Sequence, residues 1–447
     1  MVLSTATETL MLFVDRLFLS RISMLHMSSA MTGGLTNFVF SVLIVGTVDY
    51  VNTLTAQHYG AEQLEKANRV LFQGIWFGLF CWPILLPTLF VISDFFAFFG
   101  HSQEQIRLES LYYSVLTLGS PLVIIRSAFA AYFIGLGKTN LSFWANGLGM
   151  LVNIPLNAVL IFGWGPFPPL GILGAALGTL GGSFVSVVVL VLLWWNFDLS
   201  KRARQNDGLK SLRLDPELLK TLVRYGLPMG FETFINTMAF NLFLQSMHSY
   251  GEIVGAAITI TFNFDMISFF PMFGLGIATT TLVGQYLGAD QLPNAQRSTF
   301  LSLKLALSYA GVMALIFFFL APFLVRLFIN PLDSYASEVN DLAQVMLRLA
   351  ALYTLFDAIQ IVFRGSLAGA GDTRWILFMS GFLHWALVGL TFWGAHHRWP
   401  ALWIWGFFIA MVALLGLATA LRYWQGKWKS INLVKELKEL EPVESGR

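Results

Sequence analysis

Apolar residues run along this chain in long blocks, separated by short polar or Gly/Pro stretches. Twelve blocks can be drawn, at 1–20, 30–56, 70–93, 110–136, 139–163, 171–195, 221–247, 254–286, 299–328, 341–368, 375–395 and 401–424. A helix crosses the hydrocarbon core with about 20 mostly apolar residues, and it satisfies its own backbone polar groups while doing so. A membrane barrel would need short alternating strands instead. The pattern therefore predicts an all-α polytopic membrane protein, with twelve transmembrane helices in two pseudo-symmetric six-helix lobes. The first block is the least apolar, since it carries Glu8, Asp15 and Arg16. Residues 1–195 form the expected N-terminal lobe, 196–220 a cytoplasmic linker, 221–424 the C-terminal lobe and 425–447 a charged cytoplasmic tail.

Composition agrees. Of 447 residues 56% are hydrophobic and 12% charged, against roughly 25% charged in soluble domains; mean hydropathy is +0.68. A net charge of +2 offers no basic field for nucleic acid. The lone Cys81 excludes an intrachain disulfide or a thiolate metal cluster. Basic residues set the expected orientation. One side of the membrane receives Lys66, Arg69, Lys138, seven between Lys201 and Arg224, Arg297, Arg374 and six from Arg422 onward. The other receives Arg21, Arg107, Arg326 and Arg398. Both termini are expected on the first, cytoplasmic side.

The two halves share sequence. TLTAQHYGAEQLEKANR at 53–69 and TLVGQYLGADQLPNAQR at 281–297 agree at about half their positions, and GLGKT at 135–139 is echoed by GAGDT at 369–373. Internal repeats of this kind mark transporter folds in which two lobes rock around a central site.

Further short segments follow one another along nearly the whole chain: FVD (13–15), AQHYGA (56–61), NIPLN (153–157), GLP (226–228), GQYLGA (284–289), DAIQ (357–360) and GSLAGAGD (365–372). Together with twelve spans and a midpoint linker, they make the chain resemble the multidrug and toxin extrusion (MATE) family, and most its bacterial NorM-type branch. The resemblance implies a cation-coupled antiporter, not an enzyme, that exports organic cations and drugs across a bacterial cytoplasmic (inner) membrane. It implies sodium or protons as coupling ion and no cofactor. Small organic cations and membrane lipids are the expected partners, nucleic acid is not, and a monomer is the default because both lobes lie in one chain.

A charge near the bilayer centre costs about 2.5–3.5 kcal/mol on insertion scales, so ionisable residues inside the blocks are the candidate sites. Asp15 leads in the first half, with Glu8 two turns earlier on nearly the same face. Asn153 and Asn157, four apart on one helix, can turn both amides to one point. The resemblance implies that Asp15 works with these two as a proton- or ion-responsive site. In the second half Asp357 matches the family's cation-site aspartate, and with Glu232 it would offer oxygen ligands to sodium. The chain departs from the family at two positions. A glutamate expected eight residues after Pro228 is Asn236, with Glu232 one turn earlier, and an arginine expected at Ala368 is replaced by Arg364 one turn earlier. Arg364 lies two turns after Asp357 on nearly its face, where it could neutralise it. Asp265, in FNFDMISFF, suits a cationic aromatic ligand, while His384 reads as a packed histidine.

Two other functions fit parts of the pattern. A flippase for lipid-linked oligosaccharides or precursors would share the architecture, but it would favour basic cavities, and the central candidates here are mostly acidic. An intramembrane aspartyl protease could use GAGD with Asp357; those two aspartates are 15 residues apart on one span and its turn, about 20 Å if helical.

Overall fold

Polar caps, glycines and prolines cut the apolar blocks into helices. The computed structural model describes residues 14–164, 168–329, 335–431 and 433–434; Glu8 and most of the charged tail lie outside them. In chain order the helices are α1 (14–20), α2 (Met24–Val48), α3 (Val51–Gly60), α4 (Leu64–Cys81), α5 (Thr88–Phe98), α6 (Gln103–Gly135), α7 (Thr139–Phe162), α8 (Ile172–Asn196), α9 (Asp198–Asp207), α10 (Pro216–His248), α11 (Glu252–Gly288), α12 (Leu292–Arg326), α13 (Ala336–Ala370), α14 (Thr373–His396) and α15 (Ala401–Trp424). There is no strand among the described residues. Ser23 and Ser102 cap α2 and α6 by accepting from backbone N–H groups in the first turn. Gly163 and Gly371 end α7 and α13 in the left-handed conformation.

Nine helical stretches among the described residues are long and apolar enough to span a bilayer, the first being α2 and α3 together; α4 and α5 form a tenth span, bent by 56°. The bend falls between Leu85 and Thr88, after the tight turn Trp82–Leu85, and Pro83 and Pro87 beside it remove backbone donors. By contrast, Pro121, Pro155, Pro228, Pro271 and Pro322 lie inside continuous helices. At 33 residues, α10 is also long enough to span, but it carries Glu232, Asn236, Asn241 and Gln245 and is less apolar. With α10 the described residues hold eleven spans, and the remaining block of the twelve, 1–20, is described only from residue 14. The molecule is an all-α polytopic membrane protein.

Contacts divide the chain into two compact units, one reaching to Phe231 and one running from Glu232 to Leu433. In the first, α7 packs along α8 and α6 lies against α2 and α8. Residues 196–220 are not an extended tether, since α9 and the turn after it are stapled to α4. The Arg69 guanidinium grips the Asp207 carboxylate with two N–H groups, Nε donating at 2.6 Å. Gln73 accepts from Asp215 N at 2.9 Å and donates to Arg213 O at 3.0 Å, and Trp76 Nε1 donates to Leu212 O at 3.0 Å.

In the second unit α13 is the central helix, packed by α11, α12 and α15. Its core is aromatic: Phe243, Phe262, Tyr353, Trp405 and Phe408 are buried together, with Phe243 stacked on Phe408 at 5.0 Å. Beyond α15 the chain folds back. Trp428 is fully buried and stacks on Tyr423 at 4.9 Å, and Arg422 grips Asp372 with Nε at 2.7 Å and Nη2 at 3.0 Å.

The repeated sequence takes the same backbone in both units. Glu62 and Asp290, at the same place in the long repeat, both hold left-handed φ angles, 59° and 57°. The following glutamines donate alike, Gln63 N to His58 O at 2.9 Å and Gln291 N to Tyr286 O at 2.8 Å. Gly137 and Gly371 of the short repeat are also left-handed.

Candidate functional site

Each unit carries clusters of buried polar side chains on its helices. In the first unit, Asp15 is 3% exposed. The Asn157 amide donates to its Oδ1 and the Thr179 hydroxyl donates to Oδ2 at 3.1 Å. Asn157 Nδ2 also donates to Asn153 Oδ1 at 3.3 Å. No base forms an ion pair with Asp15 among the described residues, so an amide and a hydroxyl rather than a cation stabilise it. Glycines in α8 create the space. A Cβ on Gly178 would meet Asn157 Oδ1 at 1.7 Å, and one on Gly182 would meet the Asn153 Cβ at 2.8 Å.

This arrangement is unsaturated. Asn157 Oδ1 and Asn153 Nδ2 are buried with no hydrogen-bond partner, and each such group costs about 1–3 kcal/mol unless something binds it. The Thr179 hydroxyl also lies 3.0 Å from Ala175 O, so its one proton can serve either the carboxylate or the backbone. A carboxylate, an amide oxygen and a hydroxyl around one point can take a proton, or ligate a hard cation through oxygen.

The second unit holds two polar clusters. In one, the Tyr353 hydroxyl donates to Asp265 Oδ1 at 2.8 Å. Tyr353 lies one turn before Asp357 on α13, so its hydroxyl links Asp265 of α11 to the helix face that carries Asp357. Asp357 itself has no hydrogen bond or ion pair with the described residues. In the other cluster, Arg364 grips Glu232, Nε donating to Oε1 at 3.0 Å and Nη2 donating to Oε2. Asn236 Nδ2 donates to the same Oε1 at 2.8 Å and reaches Ser380 Oγ at 2.9 Å. His384 Nδ1 donates to Ser380 O at 2.8 Å.

One sequence expectation is corrected: Arg364 does not neutralise Asp357. Its fork is taken by Glu232, which is 1% exposed and would otherwise be a bare buried charge. Both Glu232 oxygens accept hydrogen bonds, from Arg364 and Asn236. No group of three acidic or histidine side chains that could hold a metal ion occurs among the described residues. Asn153, Asn157 and Asp15 are brought together, as are Glu232 with Asn236 and Asp265 with Asp357.

Sequence reasoning missed Thr179, Tyr353 and Ser380. Thr179 stood in LGTLGG as one hydroxyl among small residues, and Tyr353 sits one turn before Asp357. Spacing offered a hint for Tyr353. None existed for the pairing of Ser380 with Asn236, which lies 144 positions away.

The MatE family model matches residues 1–159 and 228–390, most of the chain. The chain belongs to the MatE family of membrane transporters. The multidrug resistance protein PmpM of Pseudomonas aeruginosa is 28% identical over 393 residues, covering 86% of this chain and 81% of PmpM. A probable multidrug resistance protein NorM of Mannheimia succiniciproducens is 27% identical over 442 residues, covering 95% and 90%. A MATE crystal structure in the bent conformation superimposes with a TM-score of 0.82 at 20% identity, over 98% of this chain and 94% of that one. At that identity the likeness concerns the fold. The MatE assignment makes the chain a transporter and not an enzyme, and it excludes the protease reading of GAGD.

Proposed function

We propose that this chain exports organic cations and drugs by antiport against sodium or protons, through alternating access in a bacterial cytoplasmic membrane with both termini inside. The relatives' designation as multidrug resistance proteins supports drug export. The observation that carries the coupling is Asp357, a carboxylate on α13 with no hydrogen bond or ion pair among the described residues. A bare charge among membrane helices is too costly to stay empty; it takes a proton, a coupling cation or a cationic substrate. One carboxylate cannot hold a coupling ion and a substrate together, so each displaces the other, and that exclusion is the physical basis of exchange. Asp15, with its unsaturated asparagine pair, supplies a second exchange point of the same kind in the first unit.

The test is uptake of a fluorescent organic cation into inverted vesicles, driven by a sodium or a proton gradient in turn. Asp357→Asn is expected to abolish uptake driven by the coupling ion that Asp357 holds, and Asp15→Asn to reduce uptake at least tenfold. Wild-type vesicles that respond to neither gradient would overturn the antiporter reading and favour a flippase. Full activity in both variants would remove the carboxylates from the mechanism.

A further inference from the structure

Between α8 and α10 the chain sorts its charges. Asp207 and Asp215 both turn toward α4, where the Arg69 guanidinium grips the first and lies 3.8 Å from the second. The other Asp215 oxygen caps α10, accepting from Glu217 N and Leu218 N at 3.2 Å each. The bases are left outside. Among the described side chains from 198 to 220, Lys201, Arg202, Lys210, Arg213 and Lys220 are exposed, against Asp198 and Glu217. Lys210 and Arg213 make no ion pair or side-chain hydrogen bond with the described residues, and Arg213 N donates to Lys210 O at 3.1 Å. One turn therefore closes between the two bases and holds their Cα atoms within about 7 Å.

The same turn is fixed to apolar surface. Gln73 clamps it by donating to Arg213 O and accepting from Asp215 N, and Trp76 Nε1 donates to Leu212 O. Three backbone groups of residues 212–215 are thus satisfied by side chains of α4, which hold the segment along a membrane-spanning helix rather than free in water. Leu212 and Leu214, on either side of Arg213, are exposed, and so are Trp76 and Phe80, whose rings stack at 5.8 Å. A tryptophan with its N–H satisfied and its ring open, beside leucines and bases, has the make-up of a membrane–water interface.

We propose that this turn binds an anionic phospholipid of the adjoining leaflet, with Lys210 and Arg213 on the headgroup phosphate and Leu212, Leu214, Trp76 and Phe80 against the start of the acyl chains. The inference goes beyond drug export and does not depend on it. Arg213 brings a planar donor fork and Lys210 a mobile point charge, a pairing suited to phosphate oxygens. The acids that flank the turn are held by Arg69 and do not compete for the bases. Free phosphate would satisfy the two cations but leave four apolar side chains uncovered, which is why a lipid fits the whole surface better. Two bases at an anionic membrane surface are together worth about thirtyfold in affinity.

The experiment measures lipid binding to the full-length protein purified in detergent, by native mass spectrometry with phosphatidylglycerol or phosphatidylcholine added in turn. Both carry a phosphate, and only the first has a net charge. Wild type is expected to bind phosphatidylglycerol about tenfold or more tightly than phosphatidylcholine. In Lys210→Gln/Arg213→Gln that preference should fall about tenfold, whereas Lys201→Gln/Arg202→Gln, an equal loss of charge on α9, should change it by less than about twofold. Leu212→Ser/Leu214→Ser should weaken both lipids. Equal wild-type affinity for the two lipids overturns the site, and so does an equal loss in the two basic variants, which would mean a diffuse basic surface. Unchanged binding in Leu212→Ser/Leu214→Ser, or full displacement of the lipid by inorganic phosphate at equal concentration, overturns the lipid as occupant. All six substituted side chains are exposed, so the variants are expected to fold, and their thermal unfolding without added lipid checks this. Binding is read without transport, so none of these outcomes bears on the exporter reading.

Discussion

Glu232 and Arg364 stabilise one another inside the second unit, and neither is tolerable alone. Removing one member of a buried ion pair typically costs about 3–5 kcal/mol, because it leaves the other charge buried, whereas replacing both is often near neutral. Glu232→Gln alone should therefore lower the thermal unfolding temperature of the purified protein more than Glu232→Gln/Arg364→Gln does. Equal losses in the two would mean that the pair contributes only through packing. Which residues were charged and apolar could be read from the chain; who pairs with whom could not. Asp357 and Arg364 share a helix face and looked like partners, yet the guanidinium turns to a carboxylate 132 positions away. Helix periodicity fixes neighbours along one helix and says nothing of what a second helix brings. Asp15, Asn153 and Asn157 were legible because two of them lie one turn apart; Thr179 completed the group from α8.

At the level of helices, the seam between α7 and α8 is made of notches. Cβ atoms on Gly149, Gly174, Gly178 or Gly182 would strike Ser186, Leu160, Asn157 or Asn153, the opposing residues across the seam. Small residues at intervals of four let membrane helices approach closely. A Cβ on Gly149 would also lie 2.6 Å from the Gly182 carbonyl oxygen, a backbone atom of α8. Gly149→Ala should therefore force the two helices apart and lower the thermal unfolding temperature of the purified protein; an unchanged temperature would mean that the seam widens without cost. At the other end of the chain, Trp428 pins the segment after α15 by stacking on Tyr423. Trp428→Ala removes a side chain worth about 3–5 kcal/mol in a core, so it should open Lys427 and Lys429 to trypsin; an unchanged digest would mean the segment is held by other contacts. Spans were easy to read because each is a long apolar run. Packing of α9 onto α4 was not, since Asp198–Asp207 reads simply as a charged stretch.

Across the whole molecule, the long sequence repeat was the most informative signal, and the left-handed Glu62 and Asp290 give it a physical meaning. Non-glycine residues rarely take that conformation, so its recurrence at matching positions reflects one turn used twice. The polar clusters, however, are not repeated. The first unit has a carboxylate held by a neutral amide and a hydroxyl, while the second has a buried ion pair and, separately, two carboxylates. The difference has an electrical consequence. A charge carried through a membrane potential does work of about 2.3 kcal/mol per 100 mV, but Glu232 and Arg364, locked together, sum to zero and travel silently. Of these polar clusters, only those of Asp15 and of Asp265 with Asp357 can carry a net charge on which a membrane potential acts.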